Sequence, residues 1–291
     1  CESAVCTDGH TQFNPEDSES FRWIDKQPRM KDWGPWGTAL ANSGFDKVNI
    51  SDSNIDVFKE FSLITEFEDT PQFREFLWDG ALAIPSYSSG GKSNDVNAKI
   101  DNIIIDLVTN GIIDPNKVSV SFSYDKVSKT GRYVIGSDYV DPNLVDIESK
   151  ITLVQNDYLD SISPSDPYAV SYLWTSSLNS VKVGGQEVSE IDPSFTRFAF
   201  DTGASALKGD TNQMNKVLAL IGSASPSIEY SMGLDNDGNN GRFVLTSDQY
   251  RRTIEQGEDA GTQQVQVQPL DGLPNLWLQG TTLLEDLHSV F

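Results

Sequence analysis

Residues 198–207 read Phe-Ala-Phe-Asp-Thr-Gly-Ala-Ser-Ala-Leu, and this stretch decides how the chain is interpreted. An apolar run ending in Asp201 predicts a strand, and the following Thr202-Gly203 pair predicts a tight turn. Three such residues recur by chance, and an aspartate before a turn often accepts hydrogen bonds from nearby backbone amides. Asp201 can therefore be assigned chemistry only with support from the rest of the chain.

The net charge of the chain is strongly negative. Its 291 residues include 43 Asp and Glu against 21 Lys and Arg, which gives a formal charge of −22. Because like charges repel, a nucleic-acid partner and an anionic membrane surface are both disfavoured. No stretch approaches the roughly 18 apolar residues of a transmembrane helix, so no membrane insertion is expected. The aromatic content, 14 Phe, 9 Tyr and 6 Trp, excludes a disordered chain.

Thiol and imidazole groups are scarce. The chain has two cysteines, Cys1 and Cys6, and two histidines, His10 and His288. A metal centre built from these side chains has too few ligands, and a Ser-His-Asp site is nearly as poorly supplied. We therefore expect no metal and no cofactor, and the carboxylates remain as the groups available for catalysis.

The spacing of the cysteines favours a local disulfide between Cys1 and Cys6 that closes a small loop. A zinc half-site would need partners that the chain lacks, and four intervening residues are not the spacing of a redox Cys-x-x-Cys motif. A disulfide implies an oxidising compartment. The sequence Asn49-Ile50-Ser51 predicts a glycosylation site at Asn49, which agrees with secretion.

Short apolar or alternating runs, separated by Gly, Pro, Asn and Asp, predict an all-β protein with few helices. One helix is expected near residues 97–108, and another after Asp210, which can cap it, as far as Ile221. A connection at residues 136–146 divides the chain into halves of similar size. Strands are expected at residues 117–124 and 131–135, which pair as a hairpin, and at 172–183 and 197–200.

Six further groups of residues lie in an informative order along the chain. They are Cys1 to Cys6 with 10–18, Trp36-Gly37-Thr38 with 44–48, Trp78-Asp79-Gly80-Ala81-Leu82-Ala83 with 85–86, 110–122, 172–185, and Leu276-Trp277-Leu278-Gln279-Gly280 with 290–291. Together with residues 198–207 they resemble the pepsin-like (family A1) aspartic proteases, over nearly the whole chain.

The resemblance implies a bilobal acid-protease fold with a cleft between two β-barrel-like lobes, residues 1–140 and 141–291. A flap near residues 33–48 is expected to cover a peptide or protein substrate in that cleft. Trp36, Gly37 and Thr38 are the flap residues expected to contact it.

The same resemblance implies the role of Asp201. Each lobe contributes one aspartate, and two such carboxyl groups about 3 Å apart share a proton and titrate as a coupled pair. The ionised member takes a proton from water while the protonated member donates to the scissile carbonyl. Asp201 is expected to be one member, held by a turn formed by Thr202, Gly203, Ala204 and Ser205.

Both ends of the chain depart from the family pattern. The family's first Asp-Thr-Gly lies upstream of the cysteine loop, where this sequence begins, so the partner of Asp201 is expected from an unseen segment or a second chain. The family also continues for one strand beyond Phe291. Both pieces would contribute to the sheet between the lobes.

Four substitutions also depart from the family pattern. Trp36 stands at the position of the flap tyrosine, and Ala83 replaces a glycine. Gln279 replaces an apolar residue, and a buried amide there must find partners or cost about 1–3 kcal/mol. Ala204 removes a hydroxyl that commonly donates to the catalytic carboxylate. Fewer donors raise the pKa of Asp201, so a less acidic optimum than that of pepsin is expected.

Three functions stay open at this point. The first is a secreted pepsin-like endopeptidase, working outside the cell or in an acidic endolysosomal or vacuolar lumen. The second is a catalytically inactive relative that binds peptide or builds an extracellular assembly. The third is a retained scaffold that binds no peptide.

Overall fold

The computed structural model describes residues 11–32, 38–50, 55–67, 79–84, 103–116, 118–136, 151–153, 173–188, 191–233, 240–254, 259–271 and 274–291. These residues form mostly strands with a few short helices, which confirms the all-β class predicted from the sequence. No helix in these ranges is long and apolar enough to span a membrane.

The chain divides into two compact units. The first comprises Cys1–Ile84 and Asp101–Ile113, and the second comprises Pro85–Ile100 and Asp114–Phe291. The predicted division into lobes at residues 140 and 141 stays a prediction.

The first unit is built on an antiparallel sheet with the strand order β1-β2-β3. Its helix α1 packs on β3, where the ammonium group of Lys59 lies 2.8 Å from the Asp106 carboxylate. The elements are a 3-10 helix at Pro15–Asp17, β1 (Arg22–Asp32), β2 (Thr38–Ile50), β3 (Ile55–Phe67) and α1 (Ile103–Thr109).

A buried carboxylate in β2 binds the segment that precedes β1. Asp46 in β2 is 3% exposed, and its Oδ1 accepts hydrogen bonds from the hydroxyls of Ser18 and Ser20 and from the Lys47 amide. Burial raises the pKa of Asp46, but these three donors and the Arg22 charge outweigh burial and leave the pKa below its ordinary value.

The second unit contains three sheets in its described part. The main sheet has the order β11-β10-β6-β8-β15-β9-β14, with β7 paired to β6, and the others are β12-β13 and β16-β4-β5. The strands are β4 (Val120–Asp125), β5 (Thr130–Ile135), β6 (Trp174–Val183), β7 (Gln186–Glu187), β8 (Arg197–Phe200), β9 (Leu207–Gly209), β10 (Ile228–Met232), β11 (Gly241–Leu245), β12 (Arg251–Thr253), β13 (Gln263–Val265), β14 (Val267–Pro269), β15 (Leu276–Gln279) and β16 (Ser289–Val290).

Three helices cover these sheets: α2 (Thr211–Ile221), α3 (Ser247–Tyr250) and α4 (Thr281–Leu284). Helix α2 begins as its sequence predicts, because the Asp210 carboxylate accepts hydrogen bonds from the amides of Asn212 and Gln213. It ends at Gly222, whose φ of 45° favours glycine. The helix predicted at residues 97–108 is observed at Ile103–Thr109, and residues 97–102 lie outside the described ranges.

Strand β8 lies in the middle of the main sheet, with β6 on one side and β15 on the other. Phe198 and Ala199 are fully buried, as expected for a central strand covered on both faces. Fully buried Trp277, Tyr230 and Leu178 come from β15, β10 and β6, and belong with Phe198 to one hydrophobic core. The strand that leads to Asp201 is therefore held rigidly on every side.

Removing the negative charge of Asp46 tests how much this carboxylate stabilises the protein. We expect Asp46→Asn to lower the free energy of unfolding by about 1–3 kcal/mol at pH 7, because an amide satisfies the three donors less well than a carboxylate. The folded pKa is lowered, so the difference is fully present above the ordinary carboxyl pKa and is lost as the pH falls through the folded pKa.

Urea unfolding at pH 7 and near pH 2 measures this difference. Exposed Asp17→Asn is the control and should change the free energy of unfolding by less than about 0.5 kcal/mol. Equal stability of the two variants at pH 7 would contradict the prediction.

Candidate active site

Asp201 lies directly after the central strand β8. The parallel ladder between β8 and β15 ends with Phe200 opposite Gln279, and the Asp201 amide then donates to the Gln279 carbonyl at 3.0 Å. The sheet thus extends one hydrogen bond beyond the strand. This bond fixes the backbone from which the carboxyl group projects.

A tight turn then orients the carboxyl group. The Gly203 amide donates to Oδ1 of Asp201 at 2.8 Å, and the Ala204 amide donates to the Asp201 carbonyl at 3.1 Å. Thr202 is half-buried, Gly203 and Ser205 are exposed, and Ala204 is buried. The five residues predicted as the catalytic aspartate and its turn are therefore brought together.

The residues that follow β15 pack against this turn. The Thr281 amide donates to the Ala204 carbonyl at 2.8 Å. Gly280 approaches Ala204 so closely that a Cβ atom at position 280 would overlap the carbonyl group of Ala204. A glycine is thus required here by the contact between two backbones, not by an unusual φ, which is −99°.

The side chain of Gln279 is fully buried beneath this turn, and its amide has partners. The Tyr230 hydroxyl donates to its Oε1 at 3.3 Å, and its Nε2 donates to the Gly280 carbonyl and to the Thr282 hydroxyl. Burial raises the pKa of Tyr230, so its phenol stays protonated and can donate. The penalty expected for a buried amide without partners is therefore avoided.

Tyr133 contacts the turn from another sheet of the same unit. Its hydroxyl, on β5, donates to Oγ1 of Thr202 at 2.7 Å. Burial raises the pKa of the Tyr133 phenol, the bond to Thr202 lowers it, and the charge of Asp201 raises it further. Tyr133 was not predicted from the sequence, because 69 residues separate it from Thr202 and no motif includes it.

The charge state of Asp201 is set by opposing effects. Burial raises the pKa of its carboxyl group, while the Gly203 amide and the ammonium group of Lys208 lower it, and the result lies above the ordinary value. Burial lowers the pKa of Lys208, and the charge of Asp201 raises it. Lys208 was also missed, because a lysine in a short strand gives no signal of a site.

The other predicted site residues belong to the first unit. Thr38 is the first residue of β2 and pairs with Asp32, the last residue of β1. It therefore lies at the turn end of an antiparallel hairpin. Asn49 is exposed near the end of β2, and its Nδ2 donates to the Asp56 carboxylate at 3.2 Å. Trp36, Gly37, Cys1 and Cys6 lie outside the described residues.

Comparisons with known proteins found a matching family model and similar curated proteins. A model of the family described as eukaryotic aspartyl protease matches residues 1–286. The chain is 25% identical to pepsin-3 of Oryctolagus cuniculus over 229 residues, which are 78% of this chain and 51% of that protein. It is 26% identical to pepsin A of Bos taurus over 232 residues, which are 78% of this chain and 53% of that protein. The chain thus spans about half the length of these curated relatives.

Adding one methyl group at Gly280 tests the contact between the two backbones. We expect Gly280→Ala to lower the free energy of unfolding by about 1–3 kcal/mol, because Ala204 must shift and its bond from Thr281 weakens. Urea unfolding measures the change. Gly131→Ala is the matched control, since a Cβ there would meet Phe122 at an ordinary 3.6 Å. The prediction is wrong when both variants are equally stable.

Replacing the buried amide tests its hydrogen bonds. We expect Gln279→Leu to cost about 1–3 kcal/mol of unfolding free energy, because the buried hydroxyls of Tyr230 and Thr282 lose their partner. Exposed Gln263→Leu in β13 carries the same chemical change and should move the urea midpoint little. A variant at 279 as stable as the parent would show that the amide contributes nothing.

Proposed function

Because this chain belongs to the eukaryotic aspartyl protease family, we propose that it is part of a secreted pepsin-like aspartic endopeptidase that hydrolyses peptide bonds. The observation that carries the proposal is the position of Asp201. Its carboxyl group lies at the end of a rigid central strand and is oriented by the Gly203 amide. Orientation of this kind is what a catalytic acid or base requires.

The reaction requires a second carboxyl group beside Asp201. With one proton shared between the two, the ionised carboxylate takes a proton from water, and the resulting hydroxide attacks the scissile carbonyl carbon. The protonated carboxyl group donates to the carbonyl oxygen. Collapse of the tetrahedral species then transfers a proton to the leaving nitrogen and breaks the C–N bond, so no covalent intermediate is formed.

We assign this second carboxyl group to an Asp-Thr-Gly or Asp-Ser-Gly segment upstream of Cys1, where the family carries its first motif. A peptide or protein substrate would lie in the cleft beneath the segment of Trp36, Gly37 and Thr38. Exposure of Asn49 supports its use as a glycosylation site, in agreement with an extracellular or acidic endolysosomal location and with a disulfide between Cys1 and Cys6.

The departures at Trp36, Ala83 and Ala204 favour a second candidate, an inactive homologue that binds peptide. Ala204 is 3% exposed and offers no hydroxyl to the carboxylate of Asp201. The same cleft would then bind extended peptides without cleaving them. The two candidates share a fold and differ in chemistry, so activity separates them.

Cleavage of an unfolded protein substrate by the intact protein tests the proposal. We expect hydrolysis at acidic pH that pepstatin blocks and that Asp201→Asn lowers by about 10²–10⁴-fold, because an amide cannot accept the proton from water. The matched control is Asp192→Asn, since exposed Asp192 also accepts a backbone hydrogen bond two residues on, from Ser194 at 2.9 Å. This control should retain full activity.

Three results would decide between the candidates. An intact N-terminal sequence without an upstream Asp-Thr-Gly or Asp-Ser-Gly refutes the endopeptidase. Pepstatin that raises the melting temperature without any cleavage identifies the peptide-binding homologue. Pepstatin without effect on melting or on activity identifies a scaffold.

A further inference from the structure

A lysine in the main sheet acts electrostatically on the candidate catalytic aspartate. Lys208 is the middle residue of β9, seven positions after Asp201, and it is only partly exposed. Lysines are mostly exposed, and a lysine charge that is taken out of water is normally compensated by another group. Its place in the sheet decides which group can do so.

The backbone of β9 is fixed on both sides of Lys208. Leu207 is fully buried in the core, and a Cβ atom at Gly209 would lie 2.8 Å from the Cε of Met214 and 3.3 Å from the Leu276 carbonyl oxygen. Strand β9 is also paired with β14 and with β15. Because side chains alternate along a strand, the stem of Lys208 projects to the face opposite Leu207.

The strand register shows what shares that face. Lys208 pairs with Leu278 of β15, and Leu278 pairs with Ala199 of β8. Directly paired residues project to the same face of a sheet, and so does a residue two positions along. Asp201 is two positions after Ala199, and its amide continues the ladder to Gln279. Lys208 and Asp201 therefore project to one face, two strands apart.

The two charges act on each other. The ammonium group of Lys208 lowers the pKa of the Asp201 carboxyl group against the effect of burial, and Asp201 raises the pKa of Lys208, also against burial. Tyr133 also faces Asp201, from β5, as a neutral phenol bound to Thr202. The carboxylate of Asp210, two residues after Lys208, accepts hydrogen bonds from the amides of Asn212 and Gln213 in α2.

We propose that Lys208 is a positioning residue of this site, whose ammonium group favours the ionised form of Asp201 and so opposes the protonation that burial favours. This rests on the proposed function in one respect: in a pair of aspartates that shares one proton, the ammonium group shifts the negative charge towards Asp201 and the proton towards the partner. Asp201 takes the proton from water, and the partner donates to the scissile carbonyl. The proposal gives the two carboxyl groups different roles.

Titration of the Asp201 carboxyl carbon tests the proposal without relying on activity. The intact protein is labelled with ¹³C at aspartate Cγ, and the Asp201 signal is assigned by its loss in Asp201→Asn. We expect Lys208→Met to raise the pKa of Asp201 by about 0.5–1 unit, because a neighbouring positive charge is removed. Lys208→Arg keeps the charge and should leave the titration close to that of the parent.

Lys182→Met is the matched control. It removes one positive charge from the same unit, but its ammonium group lies 3.6 Å from Glu187. We expect its effect on the Asp201 titration to be below about 0.2 unit, because Lys182 lies seven residues along β6 from the residue that pairs with Ala199, and distant charges are screened. Equal effects of Lys208→Met and Lys182→Met would overturn the proposal, as would an unchanged titration in Lys208→Met.

Lys208→Gln covers the case in which Lys208→Met does not fold, because it removes the positive charge and keeps a polar side chain. It should raise the pKa of Asp201 as Lys208→Met does, while Lys208→Arg should not. A pKa of Asp201 that is the same in Lys208→Gln and in the parent then overturns the proposal.

Activity separates this proposal from the proposed function. In an active enzyme, Lys208→Met should move the acidic limb of the kcat/KM profile to higher pH by the same amount as the Asp201 titration. A shifted titration in a protein that cleaves nothing leaves the role of Lys208 intact and refutes the endopeptidase. Cleavage with an unshifted titration and acidic limb supports the endopeptidase and refutes the role of Lys208.

Discussion

The backbone contact between Gly280 and Ala204 is the constraint on which the active-site turn depends. Strands β8 and β15 run parallel as far as the bond from Asp201 to Gln279, and the two chains then diverge. The Thr281 amide rejoins them at the Ala204 carbonyl. Because two backbones meet there without intervening side chains, the direction of the Asp201 carboxyl group is set by main-chain geometry. Main-chain positions in a central sheet vary less than side-chain rotamers.

A buried polar network supports this contact from beneath. The Gln279 amide contacts Tyr230 and Thr282, while the neighbouring Trp277 donates its ring N–H to Gln213 of α2 at 2.7 Å. Strand β15 is therefore bonded to β10, α4 and α2 through side chains as well as through its ladders. An apolar residue could fill the space of Gln279, but it could not satisfy the two hydroxyls. In a low-dielectric interior such a network stabilises one arrangement only when its polar groups are paired.

The sequence predicted the parts of the site that local chemistry determines. The strand at residues 197–200 and the cap of α2 at Asp210 were predicted correctly, since both follow from periodicity and short-range hydrogen bonding. The hairpin of β4 and β5 was also predicted, with three of its four strand ends displaced by one to three residues and the fourth, at Ile135, correct. Gln279 was recognised as a residue that needs partners, but the partners themselves were not identified.

Tyr133 and Lys208 could not be predicted, for a reason that lies in the fold. Tyr133 reaches Thr202 because its hairpin lies against the turn, and no pattern in either segment records this contact. Lys208 shares a face with Asp201 only through the register of β9 on β15 and of β15 on β8. A shift of one residue in either register would turn the lysine to the other face. Registers between distant segments depend on packing that a single sequence does not encode in any local motif.

The acidic composition acts on this protein in two opposite ways as the pH falls. At a net charge of −22, protonation of exposed carboxylates relieves repulsion across the whole surface, which stabilises the compact state. Protonation of Asp46 has the reverse effect, because its hydrogen bonds depend on the negative charge. The repulsion acts over long distances and is screened beyond a Debye length of about 8 Å at physiological salt. The bonds of Asp46 act at short range, so salt weakens them less than it weakens the surface repulsion. The pKa of Asp201 depends instead on its burial, on the Gly203 amide and on the charge of Lys208. The stability of the fold at low pH and the protonation of Asp201 therefore depend on different charged groups. A substitution that alters one need not alter the other.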